Sequence, residues 1–374
     1  MIFYGKFSQR IVRGAVLSGI MTGVLSASLA SAASIPADSP NIQYFGRWDK
    51  QVNRLVTGQG AVYIKANFTG TSILADLGGS QEVWWRVSVD NGPFRRFKAE
   101  GEKTVLAQNL TKGAHKILLV RSTEGEAGLS TFGGFTLDKK AKLLTPDVLK
   151  SRRLEFVGDS ITAGAFNDRW QPGKYHDKED NNQAYGPILS RMLGADYSIL
   201  ARSGEGVVIN YREKNPKTEL HTAGRYVRTF CETKDPEAYN PLWDSRKFPV
   251  DAIVVSIGTN DFSLNHEPPG RYYFEAGYRT LLQEIRSMNP GKPIICVAPI
   301  PSIISTKCAK WEANAVRELK AAGEKELYFI PVNDKEPLLS SDDFAGDDTH
   351  PIDKGHQKIA EFLKDKVASI LGWK

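Results

Sequence analysis

The sequence predicts two folds in series: a jelly-roll β-sandwich over residues 38–145 and a three-layer α/β/α domain with a parallel sheet over 150–374. Three observations carry this. The first region has short runs that alternate apolar and polar residues between turn signals. The second has continuous apolar runs separated by amphipathic helical stretches, the pattern of a sheet covered on both faces. The 374 residues, 41% hydrophobic and 25% charged, suffice for two packed cores and exclude a disordered or coiled-coil chain.

At the N-terminus, Lys6, Arg10 and Arg13 precede a mostly apolar stretch from Ala15 to Leu29, closed by the small residues Ala30-Ser31-Ala32. These features predict a cleaved secretory leader over 1–33, with cut sites at Ala32 or Ala33 and export to the periplasm or medium. A retained anchor is the alternative, though the stretch is short and rich in Gly, Ser and Thr. No other run is long enough to span a bilayer, so no membrane association is expected after cleavage. Three of the cations in the formal charge of +6 belong to this leader. The remainder is weakly basic and shows no basic stripe interleaved with aromatics, so nucleic acid is not an expected partner.

Cys231, Cys296 and Cys308 make an odd count for an exported chain. Cys296, within an apolar run, reads as a buried thiol. Cys231 and Cys308 lie in loop-like contexts, where a disulfide is an open alternative. Their spacing is not that of a zinc site, and neither a metal nor an organic cofactor is called for.

Within the sandwich, Val62, Ile64, Ala66 and Phe68 alternate with Tyr63, Lys65 and Asn67, and Trp85, Val87 and Val89 repeat the pattern before Asn91-Gly92, a hairpin signal. Further runs fall at 71–77, 103–109, 115–122 and 130–137. Trp48, Tyr63, Trp84 and Trp85 fill the core and the contact between domains, or else form sugar-stacking platforms. Asp138 to Lys150 reads as a linker.

In the second domain, strands are expected at 153–157, 196–201, 250–257, 293–298 and 326–331. Tyr278, Leu281, Leu282 and Ile285 mark one helix by their spacing, and Ile359, Phe362, Leu363, Val367 and Ile370 mark the last. His356 is assigned to packing or capping of that helix. Ligand sites in such sheets lie at the carboxyl edge of the strands. The first strand stops at Gly158 and presents Asp159 and Ser160, the latter a nucleophile or a helix cap. The next ends in Arg202-Ser203-Gly204-Glu205-Gly206, the third in Gly258-Thr259-Asn260-Asp261, and Asp347-Asp348-Thr349-His350 precedes the last helix. Each alone reads equally as a turn or cap. Together they supply a nucleophile, two oxyanion donors and a base. There is no Gly-x-Ser-x-Gly elbow, which argues against an α/β-hydrolase.

Gly158-Asp159-Ser160, Gly204, Gly258-Thr259-Asn260-Asp261 and Asp347 with His350 resemble the four blocks of the SGNH, or GDSL-type, hydrolases. Phe68-Thr69-Gly70-Thr71, Val89-Asp90, His115 and Arg121-Ser122-Thr123-Glu124 in the first domain resemble carbohydrate esterase family 2, in which a jelly roll precedes the SGNH domain. The resemblance implies a secreted serine deacetylase of plant polysaccharides such as acetylated xylan or glucomannan. It implies Ser160 as nucleophile, His350 as base and Asp347 as its orienting carboxylate, with Asp348 the alternative. It also implies an oxyanion hole from the N–H groups of Ser160 and Gly204 and the amide of Asn260. Thr349 departs from the aromatic residue often found before the catalytic histidine. Long loops at 164–183 and 206–250 place Trp170, Tyr211 and Trp243 as candidate substrate contacts. A monomer is expected. The competing readings are an SGNH lipase or arylesterase and a catalytically silent carbohydrate-binding protein.

Overall fold

The computed structural model describes residues 32–374 except 215–217 and 264–266; residues 1–31 of the expected leader lie outside the described residues. Residues 32–374 form one compact unit. No helix among the described residues is long and apolar enough to cross a membrane.

The first part is built from strands β1 (Ala33–Pro36), β2 (Ile42–Phe45), β3 (Asp49–Gln51), β4 (Arg54–Thr57), β5 (Tyr63–Gly70), β6 (Ile73–Gly79), β7 (Trp84–Val89), β8 (Arg95–Lys98), β9 (Gly101–Ala107), β10 (Gly113–Arg121) and β11 (Ser130–Leu137). One sheet runs β3-β4-β11-β6-β9 with β1 added to β11, and the other runs β2-β5-β10-β7-β8. Alternation along β5 and β10 buries Ile64, Phe68 and Leu119 against Leu77 and Phe132 of the opposite sheet, giving the expected sandwich core. Strand β1 lies ahead of residue 38, the expected start of the sandwich. The hairpin signal holds: Asp90 (φ 53) and Asn91 (φ 58) form the turn, closed by Gly92 N donating to Val89 O.

The linker is pinned to the sandwich rather than free. The Asp138 carboxylate accepts from the backbone and hydroxyl groups of Thr71 and Ser72, and Leu144 N donates to Asn67 O at 2.7 Å.

The second part has strands β12 (Arg153–Gly158), β13 (Asp196–Ala201), β14 (Ala252–Ser256), β15 (Ile294–Val297) and β16 (Leu327–Ile330), all parallel in the order β13-β12-β14-β15-β16. Its helices are α1 (Ser160–Ala163), α2 (Tyr185–Met192), α3 (Thr222–Tyr226), α4 (Arg271–Met288), α5 (Ser302–Ala321) and α6 (Asp353–Leu371). Phe156 meets the ring of Tyr185 on α2, while its neighbour Glu155 accepts from the hydroxyl of Tyr226 on α3. Successive strand residues face opposite ways, so α2 and α3 cover opposite faces of the sheet. His356 of α6 is buried, accepts from Tyr185 N and stacks on the Tyr185 ring, and burial pushes its pKa down to about 3. It packs, as expected.

The sandwich and the α/β part share an interface that is apolar at its centre. Phe45 stacks on Tyr63 at 4.3 Å, and Tyr63 packs on Tyr197 at 4.8 Å. Around them lie buried charges. Arg47 bonds Glu155 at 3.0 Å and the carbonyls of Tyr226 and Arg228, with its guanidinium over the rings of Tyr226 and Trp243. Trp48, Tyr63 and Trp85 are buried, and Trp84 donates to Asp177 beneath Arg96, so these aromatics serve packing and the interface rather than exposed sugar platforms. The expected alternative of a Cys231–Cys308 disulfide is corrected: both thiols are buried and free, as is Cys296.

Three expectations follow. Arg47→Ala strands Glu155 and two carbonyls in the interface and should cost about 3–5 kcal/mol in denaturant unfolding. Lys50→Ala, at an exposed pair with Asp38, should shift stability by less than about 1 kcal/mol. His115 faces two acceptors, Asp90 at 2.7 Å and the Thr111 carbonyl at 2.8 Å, so only its cation donates to both. The hydrogen bond to Asp90 raises its pKa in the folded state. Its stabilisation is therefore complete below the unfolded value of about 6.5 and fades as pH rises through the higher folded value. The melting-temperature gap between wild type and His115→Gln should be wide at about pH 5.5 and should narrow as pH rises above the unfolded value.

Candidate active site

The register of the central strands sets the site. Gly158 pairs with Ala201 on one side and Ser256 on the other, so the loops after β12, β13 and β14 leave the sheet side by side. At Gly158 a Cβ would sit 2.0 Å from Thr162 Oγ1 and 2.5 Å from the Ser256 carbonyl, which excludes any larger residue. The cap of α1 is Asp159, whose Oδ1 accepts from Ile161 N at 3.0 Å, and burial pushes its pKa up to about 6. Ser160 is therefore the first helical residue, and its hydroxyl is not spent on capping. Gly164 (φ 81) ends the turn in the left-handed conformation.

His350 reaches this hydroxyl from the segment between β16 and α6. Its Nε2 lies 3.0 Å from Ser160 Oγ, and its Nδ1 lies 2.6 Å from Asp347 Oδ2. Asp347 Oδ1 accepts from the backbone N–H groups of Thr349 and His350. Burial alone would raise the Asp347 pKa, but the His350 hydrogen bond and charge and these two N–H groups outweigh it and hold the group at about 2. The carboxylate stays ionised and accepts a hydrogen bond from Nδ1–H, which leaves Nε2 as the acceptor facing Ser160. Asp348 sits on a left-handed backbone (φ 51), and the imidazole bonds Asp347 instead. The Phe166 ring packs edge-on against His350 at 5.3 Å. Sequence reasoning missed Phe166, and the only signal was its position in a long loop beside the nucleophile.

Gly204 and Asn260 arrive on the neighbouring loops. Gly204 has φ 74, and its carbonyl accepts from Tyr211 N at 2.8 Å. Asn260 is buried, and its amide nitrogen gives one hydrogen to the Glu205 carbonyl at 2.8 Å, which ties the two loops together. Asp261, the neighbour of Asn260, accepts from the N–H groups of Val207, Val208 and Ile209. Burial outweighs those bonds and pushes its pKa up to about 6. Its structural role is to fold the loop back after Gly206, where a Cβ would meet the Ile209 carbonyl at 2.0 Å.

The three candidate substrate contacts separate. Trp170 is 78% exposed, with the Arg169 guanidinium over its ring at 4.3 Å. It lines a cleft of about 460 Å³ together with Phe166, Arg169, Lys178, Ala345 and Asp347, so an open aromatic face lies beside the Ser–His–Asp chain. Tyr211 is partly exposed next to Gly204. Trp243 is corrected: it is buried, donates its backbone N–H to Val227 O, and its ring is occupied by Arg47. The loop at 164–183 is not free either, because the sandwich holds it through Arg96 to the Asp177 carbonyl and Arg86 to Asp180.

An ionised carboxylate, an oriented imidazole, a hydroxyl and amide donors on adjacent loops can together carry out nucleophilic acyl transfer. Comparison with known proteins agrees. Residues 44–146 match the family model described as carbohydrate esterase 2 N-terminal, and residues 156–358 match the GDSL-like lipase/acylhydrolase family. The chain is 27% identical over 344 residues to cellulase/esterase CelE of Acetivibrio thermocellus, which covers 90% of this chain but only 40% of that longer protein. It is 27% identical over 317 residues to an acetylxylan esterase / glucomannan deacetylase of Cellvibrio japonicus, covering 81% of this chain and 82% of that one. A family two carbohydrate esterase structure from Cellvibrio japonicus shares the fold at TM-score 0.81 and 22% identity, covering 92% of this chain and 99% of that one. A family two esterase from Clostridium thermocellum, solved with cellohexaose, gives TM-score 0.78 at 27% identity, covering 89% of this chain and 100% of that one. Since the second family match spans more than half of the chain, the protein belongs to the GDSL-like lipase/acylhydrolase family, in the two-part arrangement of the family two carbohydrate esterases.

Proposed function

We propose that the protein is an exported serine carbohydrate esterase that removes O-acetyl groups from plant hemicellulose such as acetylated xylan or glucomannan, working as a monomer without metal or organic cofactor. The observation that carries this reading is the hydrogen-bonded chain Ser160–His350–Asp347 at the carboxyl edge of the sheet. Ser160 Oγ attacks the acetyl carbonyl carbon as His350 Nε2 takes its proton, and the carbonyl oxygen becomes an oxyanion. The N–H groups of Ser160 and Gly204 and the Asn260 amide stabilise that charge. As the tetrahedral adduct collapses, the sugar oxygen leaves with the proton from His350, and Ser160 remains acetylated. Water, deprotonated by His350, then releases acetate by the same steps. Asp347 keeps the imidazole in the required tautomer and stabilises its cation throughout.

Acetylated hemicellulose is favoured by the relatives named acetylxylan esterase / glucomannan deacetylase and by the open Trp170 face beside the triad, which suits a sugar ring.

Acetate release from acetylated xylan and glucomannan, measured with binding in parallel, tests this reading. Ser160→Ala should bind but release no acetate; equal release by the variant would refute the mechanism, and binding without turnover by wild type would favour a silent binding protein. Asn260→Ala should lose about 10²–10³-fold in kcat, or about 2.7–4 kcal/mol of transition-state stabilisation, and should melt somewhat earlier than wild type because the Glu205 carbonyl loses its donor. Asp347→Asn should lose up to about 10⁴-fold, whereas Asp348→Asn should stay within about twofold of wild type; the reverse order would move the orienting role to Asp348.

A further inference from the structure

We propose that Glu124, supplied by the β-sandwich, is a positioning residue of the oxyanion loop: it grips the Ser203 peptide and so aims the following N–H, that of Gly204, at the reacting carbonyl. The proposal rests on the esterase reading above.

Glu124 lies between β10 and β11 and is fully buried. Its Oε2 accepts from Ser203 N at 2.6 Å, and its Oε1 accepts from Ser203 Oγ at 2.5 Å. Tyr175 donates to the same Ser203 hydroxyl at 2.5 Å. Strand β13 ends at Ala201, so the sheet ladder no longer holds the Ser203 peptide. Two bonds from one carboxylate to the backbone and side chain of one residue fix that peptide's rotation. The rotation matters because Gly204, the next residue, adopts φ 74. Bonds from a charged acceptor at these distances are the strong kind, and their direction is specific.

The loop that carries Glu124 is held from behind. The Arg121 guanidinium, itself buried, donates to the carbonyls of Thr123, Glu124 and Gly128. At Gly125 a Cβ would meet the Gly58 carbonyl at 2.1 Å and Cys231 Cβ at 2.6 Å, so the loop lies flush against its neighbours. Glu126 pairs with Arg202 at 3.3 Å, a second tie to the same oxyanion loop. Glu124 N donates to Glu179 Oε1, which also bonds His176 Nδ1. Glu124, His176 and Glu179 thus have ligand-type atoms within 4.8 Å of one another. Both Glu124 oxygens are already accepting from Ser203, and Glu179 Oε1 from His176, so the cluster is read as a hydrogen-bonded brace rather than a metal site.

The test is steady-state hydrolysis of a small soluble acetate ester by wild type, Ser160→Ala and three variants of Glu124, each assayed well below its melting temperature. Glu124→Ala should lower kcat about 10- to 100-fold with KM within about twofold, the signature of a contact felt in the transition state. Glu124→Asp withdraws the carboxylate by one methylene and should lower kcat in the same sense, and it decides the matter if the alanine variant does not fold. Glu124→Gln should recover most of kcat, since its amide oxygen can accept from Ser203 N while its NH₂ donates to Ser203 Oγ. Unchanged kcat in folded Glu124→Asp or Glu124→Ala overturns the positioning role while leaving the esterase reading intact. A joint loss of kcat, KM and melting temperature that Gln does not rescue also overturns it, in favour of plain interface packing. Absence of hydrolysis by wild type overturns the esterase reading itself, and this role with it.

Discussion

The site depends on one constraint, the parallel register that sets Gly158 between Ala201 and Ser256. Three strands ending at the same level deliver three loops to one edge, and each loop then needs only a short local device to finish the placement. On the first loop, Asp159 caps the single turn that carries Ser160. On the second, three N–H groups after Gly206 are collected by Asp261 of the third, while Asn260 of the third bonds the Glu205 carbonyl of the second. Glycine at 158 permits the close strand packing on which all of this rests, and an alanine there would press on both Thr162 and Ser256.

The sandwich is more than an appendage to this edge. It reaches the α/β part through a stack of rings, Phe45 on Tyr63 on Tyr197, and through buried charges whose partners lie on the other side. Glu155 illustrates the consequence. It interrupts an otherwise apolar central strand, and burying its carboxylate without compensation would be costly. Arg47 from the sandwich and the hydroxyl of Tyr226 supply that compensation. The same logic extends to the loop at 164–183, which the sandwich fastens through Arg86 and Arg96, so the wall of the Trp170 cleft is built jointly.

Much of this was legible in the chain itself. Alternation over 62–68 and 85–89 and mainly apolar runs over 196–201 and 250–257 reflect burial on one face or on two, and the strands formed there. Short strands such as β2, β3, β4 and β8 carried too few residues to show a period. Helix α5 escaped because its buried stripe includes Cys308 and Glu312, the latter fully buried with its pKa raised well above normal, so hydropathy does not mark the inward face. Ser160, His350, Asp347, Gly204 and Asn260 sit in short local patterns and could be named in advance. Phe166 and Trp243 could not be sorted correctly, because whether a loop aromatic meets solvent, a histidine or an arginine depends on partners far away in sequence.

The central claim is that Ser160 is a nucleophile activated by His350. Covalent labelling of the folded protein with a fluorophosphonate, followed by peptide mapping, addresses it without any choice of sugar substrate. Modification of Ser160 that disappears in His350→Ala is the predicted result. An unmodified Ser160 in folded wild type, or labelling of another serine at equal rate, would contradict it.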